Sequence, residues 1–144
     1  MNTITFGNRI RSKSDSSQDT VFLRRTEESL PPDSFHGSLF RFVVLVAGRP
    51  MGTIEAKIAP PSGSLQTEAD ISYDFFPEAR GHGYAHRAIN LINQFLRECD
   101  ISRAVMRFDA KRRDYLKAPE RCGFAELHTI DSPEGRMVLF ARQL

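Results

Sequence analysis

Arg80-Gly81-His82-Gly83-Tyr84-Ala85 sets two glycines and a cation between a strand-like stretch and a helix-like one. Upstream, Glu68 to Phe76 mixes apolar and polar residues with aromatic and β-branched types, as strands do. Downstream, Tyr84, Ala85, Ala88, Ile89, Ile92, Phe95, Leu96 and Cys99 recur at helical spacing. Glycines at such a junction let the backbone turn tightly. The amides of the loop and first helical turn then point outward at the positive end of the helix dipole, a setting for phosphate or pyrophosphate.

The spacing Arg-x-x-Gly-x-Ala resembles the acetyl-CoA pyrophosphate loop of the GNAT N-acetyltransferases, and Pro77-Glu78-Ala79-Arg80-Gly81-His82-Gly83-Tyr84-Ala85 resembles the branch with the ribosomal-protein alanine N-acetyltransferases. A dinucleotide-binding GxGxxG is disfavoured, because His86 stands at its third glycine. The resemblance covers about residues 38–144 and weakens over 1–37, where one helix fits and the family has two. It implies that Arg80, Gly81, His82, Gly83, Tyr84 and Ala85 hold the pyrophosphate. The backbone near Asp74, Phe75 and Phe76 would then run beside the pantetheine arm, in a groove where that strand splays from the next.

A second family segment precedes Gly123-Phe124. Glu120, Gly123 and Phe124 match it, but Arg112 stands at the usual Asn, Tyr115 at the usual Ser and Pro119 at the usual Tyr. That missing phenol is often the acid that protonates the departing thiolate. Tyr115, one helical turn earlier, is the substitute expected here, packing in a helix being the other use of its ring. Asp74 and Glu55 are the candidate bases; a solvated carboxylate is the ordinary state of each, and water relays serve many relatives. His82 and His86 are expected at the surface or in structural roles. The four histidines lack a ligand spacing, so no metal is expected.

Between Arg103 and Arg121 lie seven basic residues against Asp109, Asp114 and Glu120. Lys111, Arg112 and Arg113 are the best placed to meet the adenosine 3′-phosphate of coenzyme A. A nucleic-acid face is the rival use of this cluster, and the net charge of +2 argues against it.

Several elements must position these residues. Ile4–Ile10 reads as a first strand, and Ser17–Leu30 as a short helix or, alternatively, a strand through Thr20–Arg25. Leu39–Val46 and Met51–Ile58 read as a hairpin turning at Gly48-Arg49-Pro50, and Pro60–Ser64 as a loop. The long helix ends near Cys99-Asp100, with Cys99 on its buried face, and Ile101–Phe108 is the next strand. Asp109 would cap a helix from Ala110, which Pro119 interrupts by a kink or break near Lys117-Ala118. Phe124–Ile130 and Arg136–Leu144 close the chain around Ser132-Pro133-Glu134-Gly135. The class is α/β (α+β), a mixed and mostly antiparallel sheet of about six or seven strands with flanking helices.

The 144 residues suit one domain with a real core. No run approaches the ~20 apolar residues of a bilayer span, and the N-terminus lacks the apolar block of a signal peptide. With two cysteines, a reducing cytoplasm is expected and a disulfide disfavoured. The expected activity is acetyl transfer from acetyl-CoA to a primary amine: a protein N-terminus, a lysine or a small amine. The competing reading is an inactive acyl-CoA sensor on the same fold. Met137–Ala141 is apolar enough for a homodimer contact, and a core strand explains it equally.

Overall fold

In the computed structural model the described residues are 9–11, 20–26, 38–59, 67–112 and 117–144. They form β1 (Arg9–Arg11), β2 (Val21–Arg25), β3 (Ser38–Val46), β4 (Arg49–Ala59), β5 (Glu68–Phe75), α1 (Tyr84–Glu98), β6 (Arg103–Asp109), α2 (Lys117–Arg121), β7 (Ala125–Ser132) and β8 (Gly135–Gln143). All eight strands make one sheet in the order β1-β2-β3-β4-β5-β6-β8-β7. Every pairing is antiparallel except β5 with β6. The expected mixed sheet is there, with one strand more than the upper count.

The extra strand resolves the ambiguity at Thr20–Arg25. Val21 and Leu23 are fully buried while Arg24 is exposed, an alternation of period two that a helix cannot satisfy. Nothing of residues 1–8, 12–19 or 27–37 belongs to the described part, so most of the Ile4–Ile10 strand and both ends of the Ser17–Leu30 stretch lie outside it, as does the Pro60–Ser64 loop.

The β3–β4 hairpin turns one residue earlier than its sequence suggests, on Ala47 (φ 51°) and Gly48 (φ 79°). Two left-handed residues in a two-residue loop match the twist of the flanking strands. Arg49 and Pro50 are already in β4, and Pro50 sits opposite Leu45 at a register irregularity, where a missing N–H is tolerated.

Helix α1 lies across one face of the sheet. Phe95 meets Phe40 and Phe42 edge-on at 5.1 and 5.4 Å, and Ile89, Ile92 and Leu96 are fully buried beside them. The helix ends in two capping hydrogen bonds, Ile101 N to Leu96 O and Asp100 N to Arg97 O, with Asp100 at φ 62°. Cys99 is therefore the cap residue and is exposed, not on the buried face as its spacing suggested. Both cysteines are free thiols.

The helix expected from Ala110 does not begin there. Asp109 Oδ1 accepts from the amide of Lys111 at 2.9 Å, and Arg112 N donates to Asp109 O at 2.9 Å, which folds residues 109–112 into a turn. The described helical residues are Lys117–Arg121, with Pro119 buried among them. No helix among the described residues is long and apolar enough to cross a membrane.

Candidate functional site

The sheet divides at one seam. β5 and β6 are paired only at Glu68–Arg103, Ala69–Ala104 and Asp70–Val105. Beyond these, Ser72 to Phe75 stay with β4 and Met106 to Asp109 stay with β8, so the two strands diverge. The expected splay thus opens at Asp70. On the α1 side its floor is aromatic, with the rings of Tyr73 and Phe108 6.0 Å apart and those of Tyr73 and Phe75 5.9 Å apart.

β5 leads directly to the glycine loop. Phe76 N donates to Met51 O at 3.0 Å, and a single 3₁₀ turn over Pro77–Ala79 buries Ala79. Gly83 then caps α1 at φ 81°, a conformation that favours glycine, with no side chain bonded to the first amides. An added Cβ at Gly81 or Gly83 would meet nothing within 4 Å, so the space in front of the helix start is open.

A groove of about 420 Å³ runs from this helix start to the splay. Of the residues expected to hold a cosubstrate, Phe75, Arg80, Gly81, Gly83, Tyr84 and Ala85 line it. Phe76 (half exposed) and His82 (stacked on Tyr84 at 5.3 Å) are not among its described lining residues. Nor are Lys111 and Arg112, which sit exposed in the turn after β6; Arg113 lies outside the described residues.

The cations that do reach the groove are Arg80, Lys117 and Arg121, and no carboxylate is among its described lining. Lys117 and Arg121, four apart on α2, project from the same side of that helix. Sequence reasoning passed over both in favour of Lys111 and Arg112. His86, expected to be structural or exposed, also lines the groove. Partial burial, reinforced by Arg121 and Arg87, lowers its pKa. Arg80 is held by the end of β5: Nε donates to Phe75 O at 3.2 Å, and a second nitrogen lies 3.9 Å from Asp74.

Comparison with known proteins agrees with this geometry. The family model of the GNAT acetyltransferases matches residues 9–135. The chain belongs to the GNAT family. Solved GNAT structures share its fold at low identity. The aminoglycoside acetyltransferase AAC(6')-Ib with coenzyme A has a TM-score of 0.62 at 15% identity, covering 73% of this chain and 66% of that one. RimL, a ribosomal α-N-protein acetyltransferase with coenzyme A, gives 0.65 at 15%, covering 74% and 62%. A GNAT acetyltransferase from Bacillus anthracis gives 0.61 at 17%, covering 72% and 65%. The chain thus spans slightly less than two-thirds of the length of these structures. No curated protein matches it.

In this GNAT chain the candidate bases stand apart from the described lining of the cationic groove. Asp74, on the splayed part of β5, is 80% exposed and is not among the described lining. Glu55, one strand away, accepts from Arg41 Nε at 2.9 Å. Asp70 lies on the same sheet face as both, at the end of the seam, and contacts Arg107. Burial pushes its carboxyl up, against the pull of that arginine. Tyr115 lies outside the described residues. No group of His, Cys, Asp and Glu among the described residues is arranged to hold a metal ion.

Proposed function

We propose that this chain is an N-acetyltransferase that moves acetyl from acetyl-CoA to a primary amine by direct attack. The observation that carries the reading is the lining of the groove: a glycine loop at a helix start, three cations and no described carboxylate, leading into a splay between two strands. A polyanion with a long neutral arm suits that order of groups. The amides of Gly81 to Ala85 and the cations Arg80, Lys117 and Arg121 would hold the phosphates. The pantetheine arm carries amides, and the diverging edges of β5 and β6 offer backbone partners for them.

Bound there, acetyl-CoA supplies an activated thioester, and the protein supplies position, which alone lowers a barrier by several kcal/mol. The amine nitrogen forms the new bond to the carbonyl carbon as the carbon–sulfur bond breaks. Backbone amides of the splayed strand face the oxygen on which charge builds. Asp74, Glu55 or water takes the amine proton, and Tyr115 returns one to the thiolate. A protein α-amine is the favoured acceptor, because the loop resembles the branch that acts on ribosomal proteins; lysine and small amines are the other members of the class. A cytoplasmic setting fits the cysteine usage.

The test is calorimetric titration of the purified protein with acetyl-CoA beside a folded Gly83→Asp variant, which sets a carboxylate into the open space at the helix start. Binding by the wild type and its loss in the variant support the reading; a folded wild type that does not bind ends it. Coenzyme A release with a panel of amines then separates an enzyme from a sensor that binds without turnover.

A further inference from the structure

Just past the seam, the next facing pair of β5 and β6 would be Ile71 and Met106, and the next on the Asp70 side of the sheet Ser72 and Arg107. Ser72 instead lies opposite Glu55 on β4, and Arg107 opposite Leu139 on β8. The two halves of the sheet have parted there, yet Arg107 Nη1 reaches back across the opening to Asp70 Oδ2. The pair closes the vertex of the splay on the face away from α1, while Tyr73 and Phe108 meet across it on the α1 face. The other end of the seam is fastened separately: Arg103 Nε lies 3.6 Å from Glu68 Oε2, and Ser102 N donates to Thr67 Oγ1 at 3.0 Å. Three backbone pairs joining two half-sheets leave the angle between them weakly determined, so a side-chain bridge at the vertex has leverage on it.

From this arrangement we infer that Arg107 is a positioning residue which, through Asp70, fixes the width of the splay that receives the thioester arm. The inference rests on the acyl-CoA reading above. Arg107 and Asp70 are 50% and 33% exposed, so their pairing adds little to folding stability. Its contribution is to geometry. The phosphate end of the groove stands on the loop and α1, away from the vertex, and is independent of the pair.

Two ligands separate these ends: acetyl-CoA, which enters the splay, and adenosine 3′,5′-bisphosphate, which offers phosphates without the arm. In Arg107→Met and in Asp70→Asn, affinity for acetyl-CoA should fall about tenfold, the scale on which coupled side-chain networks act. Affinity for the bisphosphate should stay within about twofold of wild type, and Tm should drop by no more than a few degrees. The exchange Asp70→Arg with Arg107→Asp should restore most of the acetyl-CoA affinity. Unchanged acetyl-CoA affinity in the single variants, or equal loss for both ligands, overturns the inference. A wild type that binds the bisphosphate but not acetyl-CoA any better overturns the inference and leaves the phosphate site standing. A wild type that binds neither removes the acyl-CoA reading and the inference together.

Discussion

The thiol of Cys122 donates to the carbonyl of His86 at 3.3 Å, fastening the chain just past α2 to the first turn of α1. The two helices that flank the groove are thereby joined behind it. Burial pushes the Cys122 thiol up to about 11, so it stays protonated and serves as a donor. Cys99, exposed at the helix end, should give one rapid equivalent with a thiol reagent, and the second should appear only on unfolding. Two rapid equivalents would mean that α2 detaches from α1 in the native state.

His86 should make acetyl-CoA binding depend on pH. Its folded pKa lies below the ordinary 6.5, chiefly through burial. The unfolded chain therefore takes up this proton first, and the stability His86 contributes is complete above pH ~6.5 and lost as pH falls toward the folded value. A phosphate in the groove would favour the protonated ring and reverse that displacement. Acetyl-CoA affinity should thus gain, between pH 8 and 6, a factor of up to about ten per unit of pKa displaced, relative to His86→Gln. Parallel pH profiles for the two proteins would place the imidazole away from the phosphates.

Lys117→Ala and Arg121→Ala should each weaken acetyl-CoA binding by about tenfold or more at low salt, the range of a charge-assisted hydrogen bond. Both should flatten its salt dependence. Lys111→Ala and Arg112→Ala, in the turn outside the groove lining, should change it by less than about twofold. The reverse ranking in a titration series would return the 3′-phosphate to the turn.

At Gly52, β4 leaves no room for a side chain against the end of β5. An added Cβ would stand 2.4 Å from the backbone oxygen of Asp74 and 2.8 Å from Phe75 Cα. Backbone cannot rotate away as a side chain can, so Gly52→Ala should cost about 1–3 kcal/mol and shift the start of the loop. Thermal unfolding and acetyl-CoA titration should both show it; a native Tm with native affinity would contradict the contact.

Tyr115→Phe should lower turnover at least tenfold with acetyl-CoA affinity unchanged, if its phenol is the acid that meets the thiolate. The measurement is steady-state coenzyme A release with whichever amine the panel identifies. Full turnover in the variant assigns that proton to water.

The loop and its two flanking elements were legible because their signals are local: paired glycines, a helical apolar period and a strand-like mix of apolar, polar and aromatic residues. The Asp70–Arg107 pair was not legible, since the two residues are 37 apart in the chain and only the seam brings them together. Lys117 and Arg121 were missed for a related reason. Asp109 looks like a helix cap, and its carboxylate instead captures the amide of Lys111, so the helix and its basic face begin later than the spacing implied. Cys99 keeps the helical period to its last position, but the left-handed Asp100 ends the helix just there.

Because β1 to β5 are consecutive in the chain, as are β6 to β8, the seam is also a boundary in the gene. One strand wall of the groove is encoded before residue 76 and the other after residue 102. Among the described residues, three residue pairs make up the strand pairing between them. A block exchanged at this seam therefore has to preserve these three pairs and the packing of α1 against β2 and β5, and nothing else of the opposite wall's strand register.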